Sequence, residues 1–263
     1  MSRFLDRLER INRGVATSMG FGSSARAEKL PAMALLGMLS GGDKSAQGAS
    51  NLASIGADGA LIEGVGIDEV LKELAKALDK VPWGIRVEGL NGERASSFRE
   101  RGCDFLAFGP ENTLIAALED ENTAYLICVQ PDMDERHLRA IEDLPIDAVL
   151  LSLKSAEPPL TLQHLITIGS VRGAFSKYLL LEVGGVLTSK ELEGLRDIGV
   201  DGLVVDATSL SAEELEVLKG RLLALPRRQR SRGGKSSAVL PRTVYSPPSS
   251  PSREEEEEGE EDV

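Results

Sequence analysis

The sequence predicts an α/β chain in which eight strand-and-helix units close into a single parallel (β/α)8 barrel, with one helix before it and a disordered tail after it. Three observations predict this. First, Tyr178 to Leu210 is a complete βαβ unit. An apolar run, Tyr178 to Val183, ends at the Gly184-Gly185 turn, and Thr188 with Glu191 forms a capping box that starts a helix. Leu192, Leu195 and Ile198 recur at helical spacing until Gly199 stops the helix, and Leu203-Val204-Val205 is a second strand. Second, the same alternation runs along the chain from Pro31 to Leu225. Third, one phrase recurs before the even-numbered strands: Gly56-Ala57-Asp58-Gly59, Gly102-Cys103-Asp104, Pro145-Ile146-Asp147 and Gly199-Val200-Asp201-Gly202. A phrase spaced by one βαβα unit marks a structural repeat rather than four active sites. An open doubly wound sheet is the alternative. It normally has fewer strands, and Gly37, Gly41 and Gly42 do not make the G-x-G-x-x-G turn it carries after its first strand.

Taken in order, residues 4 to 15 place Phe4, Leu5, Leu8, Ile11 and Val15 on one side of a helix suited to closing the bottom of a domain, or to docking on a partner. Gly20 to Arg26 is a small-residue loop. Strands follow at Ala32–Leu39, Ala60–Glu63, Pro82–Val87, Asp104–Phe108, Ala124–Gln130 and Ala148–Leu153, then the two in the stretch above. Their helices are expected at Lys44–Ser54, Asp68–Lys80, Glu93–Arg101, Asn112–Asp120, from an Asp132/Glu135 cap to about Asp143, and at Leu160–Ile168. A last helix starts at a Ser211/Glu214 cap and ends before Pro226. The domain reading is therefore residues 1–30 as helix and loop, 31–225 as barrel, and 226–263 as a tail, basic first and acidic last, without the apolar content to join a core.

Composition sets limits on function. The formal charge of -12 is concentrated at the end, where Glu254 to Glu258 with Glu260, Glu261 and Asp262 carry eight negative charges. No Lys/Arg excess marks a face, which argues against nucleic acid as a partner. The first residues lack the apolar core of a signal peptide and no apolar run is long enough to cross a bilayer, so a cytoplasmic protein without a membrane partner is expected. Cys103 and Cys128 lack the spacing of a zinc site or disulfide framework and read as small buried residues in a reducing compartment.

Strand alternation places the candidate chemistry. The outward face of a barrel strand packs on helices and must be apolar, so polar residues within strands belong to the lumen. With Ile85 and Val87 facing out, Arg86 and Glu88 face in; with Val149, Leu151 and Leu153 out, Ser152 and Lys154 face in. Glu63, Gln130, Glu182 and Asp206 likewise point inward at the C-terminal ends of their strands, where barrel sites lie. Six of these groups are charged, four acidic and two basic, in a place where unpaired charge is costly. They either pair mutually, Glu63 with Arg86 and Lys154 with Glu182, or hold a polar ligand. Both histidines, His137 and His164, fall in outer helices, which removes a histidine base, a Ser-His-Asp triad and most zinc or iron sites. Catalysis would then rest on Lys154, Glu182, Glu63 and Asp206. No metal is expected; magnesium on Glu63, Glu182 and Asp206 is an alternative that no spacing singles out.

Val183-Gly184-Gly185-Val186 followed by Asp201-Gly202-Leu203-Val204-Val205 resembles the phosphate-binding half of the ribulose-phosphate-binding and FMN-dependent TIM barrels. The resemblance covers the last quarter of the barrel. It implies a phosphorylated or anionic small ligand gripped by backbone N–H groups at Gly184 and Gly185, FMN as a candidate cofactor, and a lyase, isomerase or flavin enzyme. Asp206-Ala207-Thr208-Ser209 departs from the family's Gly-Ser or Gly-Thr pair, leaving Thr208 and Ser209 as donors and Asp206 as a carboxylate where phosphate is expected. Arg86, Glu88, Gln130 and Ser152 complete the expected ligand-binding set. Lys154 has the position of the lysine in Schiff-base barrel aldolases. With Glu182 beside it, the expectation is a charged amine that orients an anion or pairs with that carboxylate. The competing expectation is a non-catalytic barrel that binds partners through its tail or first helix.

Overall fold

Arg3 to Arg13 carries the apolar spacing noted above, and in the computed structural model, which describes residues 2–14, 29–64, 68–153 and 158–227, it forms helix α1. The apolar runs become eight strands: β1 (Ala34–Ser40), β2 (Gly59–Glu63), β3 (Trp83–Val87), β4 (Phe105–Phe108), β5 (Ala124–Val129), β6 (Ala148–Leu153), β7 (Tyr178–Val183) and β8 (Gly202–Asp206). All pair in parallel with their sequence neighbours, and β8 pairs with β1, so the barrel closes and no edge is left open. Around it lie α2 (Ser45–Ser54), α3 (Asp68–Leu78), α4 (Gly92–Glu100), α5 (Glu135–Ala140), α6 (Leu162–Gly173), α7 (Ser189–Ile198) and α8 (Ala212–Ala224). Lys154, the 20–26 loop and the tail from 228 onward lie outside the described residues.

The helix boundaries follow their caps. Thr188 with Glu191 and Ser211 with Glu214 form the expected capping boxes, and Gly199 ends α7 at φ 104 in the left-handed region. Three expectations need correction. The chain after β4 makes no α-helix: only a 3-10 turn, Ile115–Leu118, forms, because the Leu114 N–H is drawn to the Leu90 carbonyl and pins the segment beside the β3 loop. The cap of α5 is Asp134 rather than Asp132, since Asp134 stands next to the helix and accepts from the Arg136 N–H. Helix α6 begins at a Thr161/His164 capping box and runs to Gly173, beyond the expected Ile168.

Alternation sorts the core into two layers. Leu35, Ile62, Ile85, Leu106, Val149 and Leu151 pack outward against the helices. Leu36, Leu61, Phe105, Leu126, Leu150 and Leu180 fill the lumen, each at most 1% exposed. Below them, α1 closes the N-terminal end: Phe4 is fully buried and stacks on Phe105 with ring centroids 4.4 Å apart.

The recurring aspartates explain themselves at this end. Asp58, Asp147 and Asp201 each accept the N–H of the second residue of an odd strand, from Leu35, Tyr125 and Leu179 at 2.9, 2.8 and 2.8 Å. Asp104 turns instead to α1, accepting from the N–H groups of Arg3 and Phe4 and from the Ser2 hydroxyl. A carboxylate at a helix N-terminus satisfies N–H groups that lack an intrahelical partner. Arg7 pairs with Asp58 at 3.0 Å and Asn12 donates to Asp201 at 2.8 Å, so α1 is fastened to three of the four repeats.

Candidate functional site

At the opposite, C-terminal end the lumen changes from apolar to charged. Register puts Glu63 beside Arg86 on β2 and β3, and Ser152 beside Glu182 on β6 and β7. Arg86 does more than pair with its neighbour. Its side chain crosses the lumen to β7, where Nη1 donates to Glu182 Oε2 at 2.9 Å, while Nε lies 3.6 Å from Glu63 Oε1. Strands β3 and β7 are opposite each other in an eight-stranded barrel, and a lumen this narrow lets one arginine span it. Glu182 is 1% exposed. Burial works against the charge on Arg86, but Cys128, which ionises only at high pH, and the carboxylates Glu182 and Glu63 outweigh it and hold the pKa above the usual arginine value, so the guanidinium stays charged.

Cys128 belongs to this floor, not to the outer core. It packs on the lumen cluster, and burial pushes its thiol up to about 11 despite the opposing effect of Arg86. It is a neutral thiol at physiological pH rather than a nucleophile. Cys103 is buried at the start of β4, with burial raising it to about 12.

Above the floor, a cleft of about 870 Å³ opens on the β2 to β5 side. Glu63, Arg86, Glu88 and Gln130 line it, as does Cys128. The alternation rule supplied no loop or helix residues, and so missed Arg94, Phe98, Glu111, Asn112 and Met133, which come from α4 and from the turns after β4 and β5. Two glycines in the turns after successive strands, Gly89 after β3 and Gly109 after β4, carried the available signal. A Cβ on Gly89 would sit 2.5 Å from the Asn112 carbonyl oxygen, and one on Gly109 would sit 3.1 Å from the Glu88 carbonyl oxygen. A side chain at Gly89 would force the two turns apart, and one at Gly109 would crowd the Glu88 carbonyl.

The β7 and β8 turns stand apart from this cleft. Gly185 takes φ 66, and Gly184 precedes it in the turn. After β8, Asp206 accepts from the Thr208 N–H and hydroxyl at 2.9 and 2.6 Å and from the Ser209 hydroxyl at 2.6 Å. The donors that would meet a phosphate are turned to a carboxylate of the same turn. The Thr208 N–H and the Thr208 and Ser209 hydroxyls are therefore committed to Asp206 rather than offered to the phosphate of a cofactor such as FMN. Burial raises the Asp206 pKa, but the hydrogen bonds from Ser209 and Thr208 outweigh it and leave the carboxylate below its ordinary value. A depressed folded-state pKa contributes stability above the ordinary aspartate range, and that contribution is lost as pH falls through the folded value. Carbon-detected titration of Asp206 should therefore give a midpoint below 3.8, moving upward in Ser209→Ala. A midpoint at or above 3.8 in the parent protein would mean that this turn does not persist in solution.

Among the described residues no group of three or more His, Cys, Asp or Glu is arranged to hold a metal ion. His137 lies in α5, and His164 is occupied in the α6 capping box, its Nδ1 accepting the Thr161 N–H at 3.2 Å.

Fold and site together define a (β/α)8 barrel with a charged lumen floor and a polar cleft at its C-terminal end. No family model and no curated protein matches the chain. Among solved structures it is similar to a protein of Aquifex aeolicus VF5, at 14% identity and a TM-score of 0.60 over 84% of this chain and 99% of that one. It is also similar to a tryptophan synthase structure from M. tuberculosis, at 17% identity and a TM-score of 0.60 over 86% and 98%. A mutant tryptophan synthase alpha-subunit from Pyrococcus furiosus gives 15% and 0.57 over 74% and 98%. At this identity the likeness shows a shared fold, the (β/α)8 barrel.

Proposed function

We propose that this barrel is a cytosolic enzyme of the lyase or isomerase kind, acting on a small metabolite whose anionic group, carboxylate or phosphoryl, is held by Arg86 in the cleft over β2 to β5. The observation that carries the reading is Arg86 itself, a charged guanidinium at the floor of a cleft large enough for a metabolite, fixed from behind by buried Glu182. Glu63 is the proton carrier in this reading. It ends β2, lines the cleft with its side chain 33% exposed, and stands beside the cation that would position the ligand. The fold likeness to tryptophan synthases, which are lyases, supports the reaction class. Two cysteines outside any disulfide support a reducing compartment.

A second reading, a non-catalytic binding or scaffold barrel, is favoured by one feature. Arg86 is already ion-paired with Glu182 and close to Glu63, and Asp206 is already hydrogen-bonded by Thr208 and Ser209, without any ligand. A thermal-shift and calorimetric screen of small carboxylates and sugar phosphates separates the two. The enzyme reading expects saturable stabilisation by at least one class, lost in Arg86→Lys, followed by turnover that Glu63→Gln abolishes. No response to either class would favour the scaffold. A yellow preparation would point to a flavin enzyme instead.

A further inference from the structure

Resting on that reading, we propose that the ligand's anionic group is a carboxylate that takes the place of Glu63 on Arg86. Binding is then an exchange of one carboxylate for another, and Glu63 is released into the cleft beside the substrate.

The two arms of Arg86 differ in a way that fixes which one exchanges. The Glu182 arm is a hydrogen-bonded ion pair of 2.9 Å whose carboxylate side chain is 2% exposed. The Glu63 arm is 3.6 Å long, beyond hydrogen-bond distance, and its carboxylate is 33% exposed and opens on the cleft. An incoming anion meets the weaker, solvated arm first. Displacing Glu182 would strand a carboxylate in the core, whereas displacing Glu63 leaves one facing solvent.

Charge decides the class of anion. The described cleft lining holds three carboxylates, Glu63, Glu88 and Glu111, against two cations, Arg86 and Arg94. Arg94 is already tied to the cleft wall, its Nη1 donating to the Gly89 carbonyl at 3.1 Å. A carboxylate that replaces Glu63 on Arg86 preserves the local balance of charge at the guanidinium. A phosphate dianion brings twice that charge towards a wall rich in carboxylates. The planar, forked guanidinium also matches the edge of a carboxylate. The remainder of such a ligand would face the amides of Asn112 and Gln130 and the apolar side chains of Phe98 and Met133.

The test uses the full-length protein with its arginine Nε–H groups observed by NMR, and two probes, glycolate and inorganic phosphate. Glycolate is expected to shift the Arg86 signal saturably and phosphate to compete poorly. Glu63→Gln removes the internal competitor and should tighten glycolate binding about threefold, in line with the worth of a partly exposed ion pair. Glu88→Gln removes a wall charge that does not touch Arg86 and should tighten it less. A melting temperature for each variant shows that it is folded. If glycolate binds but Glu63→Gln leaves its affinity unchanged or weaker, or matches Glu88→Gln, the exchange is overturned while the cleft reading stands. If phosphate displaces glycolate, the carboxylate class is overturned. If neither probe perturbs Arg86, the functional reading fails and the exchange with it.

Discussion

Replacing Arg86 by methionine is expected to destabilise the barrel by about 3–5 kcal/mol, the usual cost of removing one partner from a buried ion pair. The guanidinium donates to Glu182, which is 1% exposed on the far wall of the lumen, and so helps to offset its desolvation. Methionine fills a similar length but offers no charge, so the cost comes from the carboxylate left behind rather than from lost packing. The paired replacement Arg86→Met with Glu182→Leu should recover most of the loss, because a buried ion pair exchanged for well-packed apolar groups is close to neutral. Urea denaturation of the parent, the two single variants and the double variant measures this. A single Arg86→Met variant within 1 kcal/mol of the parent would show that the cross-lumen pair does not hold Glu182 in place. Because stabilisation and ligand binding share this residue, the stability cycle and the Arg86→Lys binding experiment report on different things and should both be made.

Removing the Asp58 carboxylate is expected to cost as much, at the other end of the barrel. Oδ2 of Asp58 accepts from the Leu35 N–H at 2.9 Å and from Lys219 Nζ at 2.7 Å, and Oδ1 accepts from Arg7 Nε at 3.0 Å. It thus joins the start of β1, the inner face of α8 and the plugging helix α1. Lys219 has 11% of its side chain exposed, so Asp58→Ala leaves an ammonium group with little water to replace the carboxylate. The expected loss is about 3–5 kcal/mol, a large fraction of the stability of a typical domain. Asp58→Asn keeps one acceptor and should fall between. A loss below 1 kcal/mol for Asp58→Ala would mean that α1 and α8 are held by their apolar faces alone.

The barrel itself was legible because its signals are local. Caps at Thr188 and Ser211, the stop at Gly199 and the period of two in each strand depend on residues a few positions apart, and closure follows from the number and regular spacing of the units. The segment from Asn112 to Asp120 misled because its composition suits a helix, while a hydrogen bond from Leu114 to Leu90 sets its path. For the same reason the cleft wall was only half readable. Glu63, Arg86, Glu88 and Gln130 lie in or at the ends of strands, where alternation assigns them; Arg94, Glu111 and Asn112 lie on a helix and turns, where it assigns nothing.

By itself the sequence determined the strand count, the inward side of each strand and therefore the placing of Glu63, Arg86 and Glu182 in the lumen at the C-terminal end. It also determined that the Gly-x-Asp phrases belong to the repeat. Only the tertiary structure decided which charges meet. Glu63 is the register neighbour of Arg86, but Glu182 is 96 residues away and reaches it only because closing eight strands brings β3 and β7 face to face. Tertiary structure also turned Asp104 to α1 while its three counterparts bind strand starts, and turned Thr208 and Ser209 to Asp206. The physical reason is common to all of these. Side-chain direction is a local property of the backbone, fixed by its period, whereas the partner of a polar group is whichever donor or acceptor the closed fold leaves within about 3 Å.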